Sequence, residues 1–120
     1  MNQPMDRSTA EHYVWGGDCD GWHLLKSAGL SVIEERMPPG RAETRHAHTK
    51  AQQFFYVVSG VANLEVDGVE HALMPQQGLA VPPGTPHQLF NHGPGELRFL
   101  VISSPPSHGD REPCPPTLPA

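Results

Sequence analysis

Glycine and proline punctuate this chain from end to end. Twelve glycines and fourteen prolines fall among 120 residues. Many cluster, as in Gly16-Gly17, Pro38-Pro39-Gly40, Asp67-Gly68, Pro82-Pro83-Gly84 and Gly93-Pro94-Gly95. Proline removes a backbone donor and clashes with the preceding helical turn, and glycine loses more conformational entropy than any other residue. A helical bundle or coiled coil is therefore excluded. The intervening pieces are short and rich in β-branched and aromatic residues. Nine read as strands, at 22–26, 30–37, 42–48, 53–58, 61–66, 69–73, 79–81, 87–92 and 96–103. Asp67-Gly68 between two alternating runs is a hairpin signal, because both central turn residues need positive φ. Turn signals every ~8–12 residues and no sustained helical period predict an all-β sandwich or barrel.

Three parts are expected: an N-terminal arm over 1–21, one barrel over 22–104 and a Pro-rich tail over 105–120. The prolines of the tail argue against its pairing in a sheet. The longest apolar run, Phe54 to Val58, is five residues, against the ~20 that a membrane-spanning helix requires. The first ten residues are polar, with no visible signal peptide, so a cytoplasmic location is expected. Net charge is −5 and the eight Lys and Arg form no stripe, so neither nucleic acid nor membrane is an expected partner. Cys19 and Cys114 have no zinc-type spacing and are expected as free thiols.

Eight histidines equal Lys and Arg together in number. His46 and His48, two apart on an extended segment, point to one face. Gln53 opens the next strand after a turn, and His87 follows Pro82-Pro83-Gly84. Singly, each has an ordinary alternative: two exposed histidines at a turn, a loop histidine, a solvent-facing glutamine. Together, imidazole nitrogens and an amide oxygen suit Fe, Ni, Zn or Mn with open positions left for water or substrate. His12, His23, His71, His92 and His108 lack ligand spacing and are expected to be structural or exposed.

Read as one string, Gly40-x5-His46-x-His48-x4-Gln53-x6-Gly60 resembles the first signature motif of the cupin superfamily. Pro82-x-Gly84-x2-His87-x3-Asn91 resembles the second. The resemblance implies a single-domain double-stranded β-helix, the jelly roll, with metal ligands at His46, His48 and His87. Gln53 stands where the family usually has Glu, and Gln76 where the second motif usually opens with Gly. A neutral Gln53 cancels none of the metal's charge, as a ligand or behind the three histidines. His-His-Gln-His is also similar to small cupins that open the ring of unsaturated uronates, but Val101 stands where that group carries an Asp, so that reaction is not transferred.

Strand alternation sorts the neighbours. With Gln53 inward, Phe55 and Val57 line the cavity, as do Leu89 and Asn91 beside His87, and Leu97, Phe99 or Val101 from the last strand. Ala42 and Thr44 are expected inside with His46, and Glu43 and Arg45 outside. No carboxylate of the motifs is then inward, so a general base must come from the metal's own hydroxide, from Glu34, Glu35 or Arg36, or from Tyr13. For Glu34, Glu35 and Arg36 a solvated strand face is the ordinary alternative. Arg45, Lys50 and Arg98 read as surface charges. Phe54, Tyr56 and Val58 make an apolar outer face, which predicts a homodimer unless the N-terminal strands cover it. The expected function is that of a metal-dependent enzyme on a small organic molecule, of isomerase, lyase or dioxygenase type. The alternative is a cupin that binds or senses a small molecule without turnover.

Overall fold

The computed structural model describes residues 3–117. Eleven strands account for its regular structure: β1 (Glu11–Trp15), β2 (Cys19–Lys26), β3 (Ser31–Met37), β4 (His46–His48), β5 (Gln52–Ser59), β6 (Ala62–Val66), β7 (Val69–Leu73), β8 (Gly78–Val81), β9 (His87–Phe90), β10 (Leu97–Ser104) and β11 (Arg111–Pro113). They form two antiparallel sheets, one ordered β1-β2-β3-β10-β5-β8 and the other β11-β4-β9-β6-β7. This is the all-β double-stranded β-helix that the two motifs implied. Among the described residues no helix is long and apolar enough to cross a membrane.

The sheets face each other across one core. Along β10, Leu97, Phe99, Val101 and Ser103 are buried and alternate with partly exposed residues. Opposite them, Phe55 and Val57 of β5, Leu64 of β6 and Leu89 of β9 are almost fully buried. Each such side chain contributes roughly 1.5–3 kcal/mol of transfer free energy. The β6–β7 hairpin turns on Asp67 (φ 50°) and Gly68 (φ 88°), as its sequence demanded. Gln76 also adopts positive φ, 69°, so the position where the family motif prefers Gly keeps its left-handed turn with a strained glutamine.

Three expectations need correction. Residues 11–15, read as arm, form β1 and extend the six-stranded sheet beside β2. The segment from Ala42 to Arg45 is no strand; it touches β9 only through a bridge between Ala42 and Phe90. The tail does pair: a proline-free stretch from Ser107 to Glu112 lets β11 add to the outer edge of β4, and Pro113 is tolerated at the end of an edge strand. The expected arm and tail also include residues 1–2 and 118–120, which lie outside the described residues.

Candidate metal centre and its cavity

β4 and β9 are neighbours, and His46 lies directly opposite His87 in their register. His48 is two residues further on, so the pleat returns it to the same face. The three rings form a cluster with centroids 4.5 Å (His46–His87), 4.8 Å (His46–His48) and 5.8 Å (His48–His87) apart. All three are buried, His87 completely.

Each ring is held from behind by a backbone carbonyl. The Nδ1 of His46 donates to Thr44 O (2.7 Å), that of His48 to Asp110 O (2.9 Å) and that of His87 to Thr85 O (2.9 Å). A carbonyl can only accept, so the proton sits on Nδ1 and each Nε2 keeps a free lone pair. Burial holds all three below the usual histidine range, His46 down to about 3, so they are neutral at pH 7. One ligand atom from each ring lies within 4.8 Å of the others. The Nε2 of His87 is buried without any hydrogen-bond partner. An orphaned buried acceptor costs about 1–3 kcal/mol, and a bound cation removes that cost.

Gln53, also buried, projects from β5 of the facing sheet. Its Nε2 donates to Ser103 Oγ at 3.0 Å, which leaves Oε1 buried and unpartnered. Neutral nitrogens and an amide oxygen fit a borderline transition ion such as Fe, Ni, Zn or Mn. His46, His48 and Gln53 open onto a cavity of about 550 Å³, with His87 packed behind them. Phe55, Ile33 and Val101 supply its apolar wall. Val57, Leu89 and Asn91 point inward as expected, but they lie in the packed interior rather than along the cavity. The Nδ2 of Asn91 donates to Met37 O and Gly95 O, a structural bond set.

The cavity also holds two carboxyls. Glu43 was expected outside; it is inside. Its backbone N–H donates to Leu89 O, and its Oε1 accepts from the Leu89 N–H, both at 3.0 Å. The side chain thus takes a bond that a regular strand partner would supply, the pleat is broken, and the parity of Glu43 no longer follows His46. Ala42 and Thr44 are exposed instead. Burial, then the nearby charge of Glu35, raises the Glu43 carboxyl to about 8.

Glu35 faces the cavity from β3, while Glu34 pairs outside with Arg98 and Arg36 with Asp20. Burial raises Glu35 to about 7, opposed by a hydrogen bond from the Tyr13 hydroxyl at 3.2 Å. Tyr13, Gly21 and Glu35 form one cross-strand row through β1, β2 and β3. A Cβ on Gly21 would collide with the Tyr13 ring, so glycine is what lets that ring lean across β2 to the carboxyl.

The remaining charges also shift from expectation. His23 and His108 line the cavity. Arg45 is no surface charge: it forms a two-pronged, nearly buried ion pair with Glu65 at 2.7 and 3.0 Å. The tail is part of the site. Asp110 accepts from the backbone N–H of Thr49, Lys50 and Ala51 and supplies the carbonyl behind His48. Only the spacing of Asp110 from Pro113, a polar stretch free of proline, hinted at this in the sequence.

The family model "Cupin domain" matches residues 33–103, more than half of the chain. Protein SchB of Streptomyces halstedii is 32% identical over 98 residues, spanning 77% of this chain and 68% of SchB. Among solved structures, KdgF from Halomonas sp. superposes with a TM-score of 0.80 at 19% identity, covering 88% of this chain and 96% of KdgF. The polyketide cyclase RemF from Streptomyces resistomycificus gives 0.77 at 19% identity, covering 94% and 83%. At these identities the two structures show the fold alone.

Proposed function

The chain belongs to the cupin domain family, and on that premise we propose that it is a metal-dependent enzyme that moves a proton beside the carbonyl of a small organic molecule, in an isomerase or lyase reaction. His46, His48 and His87 would hold a divalent transition ion, and the Gln53 oxygen would be a fourth donor. When bound, such an ion acts as a Lewis acid that polarises a carbonyl oxygen. The chain supplies the proton handling. Near pH 7 Glu43, raised to about 8, is mostly protonated, and Glu35, raised to about 7, is divided between its two forms. One cavity therefore contains a carboxylic acid and a carboxylate, the pairing that general acid–base chemistry uses. Tyr13 orients Glu35 through its hydroxyl. Ile33, Phe55 and Val101 shield the reacting end from bulk water. The presence of these carboxyls favours proton transfer over dioxygenation.

The observation that carries this reading is the pair of orphaned buried atoms, His87 Nε2 and Gln53 Oε1, in a cluster that opens onto a cavity containing two carboxyls. Elemental analysis should find close to one transition metal per chain, and a His46→Ala/His48→Ala variant should lose it while staying folded. In D2O the loaded protein should exchange the α-protons of keto acids or ketones, and Glu35→Gln, which removes the carboxylate that is ionised near pH 7, should not. A chain that resists Fe, Ni, Zn and Mn alike sinks the reading. A loaded chain that binds such compounds without proton exchange is a binding or sensing cupin.

We also propose a homodimer. The N-terminal strands extend the sheet sideways and do not cover the outside of β5, where Phe54 and Val58 stay exposed. Cys19 and Cys114 are both free, which suits a reducing compartment, and we place the reaction in the cytoplasm.

A further inference from the structure

At the edge of the cavity, on an exposed strand, one cation has no counter-charge among the described residues. Arg7, Arg36, Arg41, Arg45 and Arg98 each meet a carboxylate within 4.0 Å, and Lys26 at the cavity mouth pairs with Glu11. Among the described residues Arg111 and Lys50 form no such pair, and of the two Arg111 alone lines the cavity. It lines the cavity from β11, directly opposite His48 in the register. Paired residues of neighbouring strands project to one face, so Arg111 is aimed to the side on which His48 meets its partner rings. One guanidinium nitrogen reaches Thr44 O at a long 3.3 Å, and among the described residues its other donors make no hydrogen bond. Its charge is felt at Glu35, Glu43, His46, His48 and His87, groups drawn from both sheets. Glu35 and Glu43 share the cavity, yet neither comes within ion-pair distance of it.

A guanidinium held over a site built on neutral ligands, with its fork open, is complementary to a planar anion. We propose that Arg111 is the substrate's carboxylate-binding residue, so that the reacting compound is a small carboxylic acid with a second oxygen function directed at the histidine cluster. This deepens the metal-enzyme reading and rests on it. Arginine suits the task because its planar donors meet both carboxylate oxygens at once. The span from Arg111 to the histidines then selects chain length, and the Pro-rich tail that carries Arg111 becomes the specificity element of the barrel.

The test uses simple diacids on the metal-loaded full chain. Malonate, succinate, glutarate and adipate are titrated calorimetrically beside their monomethyl esters, with metal content measured for every sample. At the best-fitting length the diacid should bind at least tenfold tighter than its monoester. Arg111→Gln should erase that difference at unchanged metal content, and Arg111→Lys should restore part of it. A loaded wild-type chain with no diacid preference at any length, or a preference that survives Arg111→Gln, overturns this inference and leaves the metal-enzyme reading standing. A wild-type chain that takes up no metal overturns both.

Discussion

Replacing Glu43 by glutamine tests the cavity's electrostatics without touching a histidine. Glutamine has the shape of the protonated acid, and its oxygen can still accept the Leu89 N–H that Glu43 accepts at 3.0 Å. The carboxyl rises from 4.5 to about 8 on folding. Below pH 4.5 it is protonated in both the folded and the unfolded chain, and the variant gains nothing. Between the two values the unfolded chain releases a proton that the folded chain keeps, so wild-type stability falls by about 1.4 kcal/mol per pH unit from this group. Above pH 8 both states are ionised and the penalty is constant. The whole window gives an upper bound of about 5 kcal/mol. Cavity water and local relaxation reduce it, and about 2 kcal/mol is the expected plateau. Urea unfolding of both proteins in chelator, from pH 4.5 to 9, measures the difference directly. Histidine protonation contributes equally to the two and cancels. The variant should match wild type at pH 4.5 and exceed it by about 2 kcal/mol at pH 9. Curves that stay parallel across the range would refute the claim that Glu43 is desolvated by this cavity.

Two other substitutions probe the tail and the outer sheet face. Asp110→Ala removes the acceptor for three backbone N–H groups and loosens the carbonyl behind His48; metal affinity in a competition titration should fall about tenfold, and an unchanged affinity would show that the tail does not position that ring. Phe54→Asp/Tyr56→Asp places charge on the exposed side of β5 and should convert a dimer to a monomer on sizing, so an unchanged elution volume would remove that face as the interface.

Strand parity worked where strands were continuous. On β5, Gln53, Phe55 and Val57 are buried while Phe54 and Val58 are exposed, and on β9 His87 and Leu89 alternate with half-buried partners. It failed at residues 42–45 because a side chain replaces a ladder bond there, and no local pattern announces that Glu43 will satisfy Leu89. It left Glu35 undecided, since a run of Glu34, Glu35 and Arg36 looks the same on a solvated strand as on one that faces a cavity.

Local chemistry alone determined the breaks that forbid helices, the Asp67-Gly68 hairpin and the paired histidine spacing, because those depend on backbone sterics and on residues close together in the chain. The convergence of His87 on His46, the carbonyl of Asp110 behind His48, Tyr13 reaching Glu35 across Gly21 and Arg111 set opposite His48 join residues far apart in sequence. Their energies exist only once two sheets have closed and excluded water, and that closure is what turns ordinary glutamates into weak acids and three histidines into a cluster of open lone pairs.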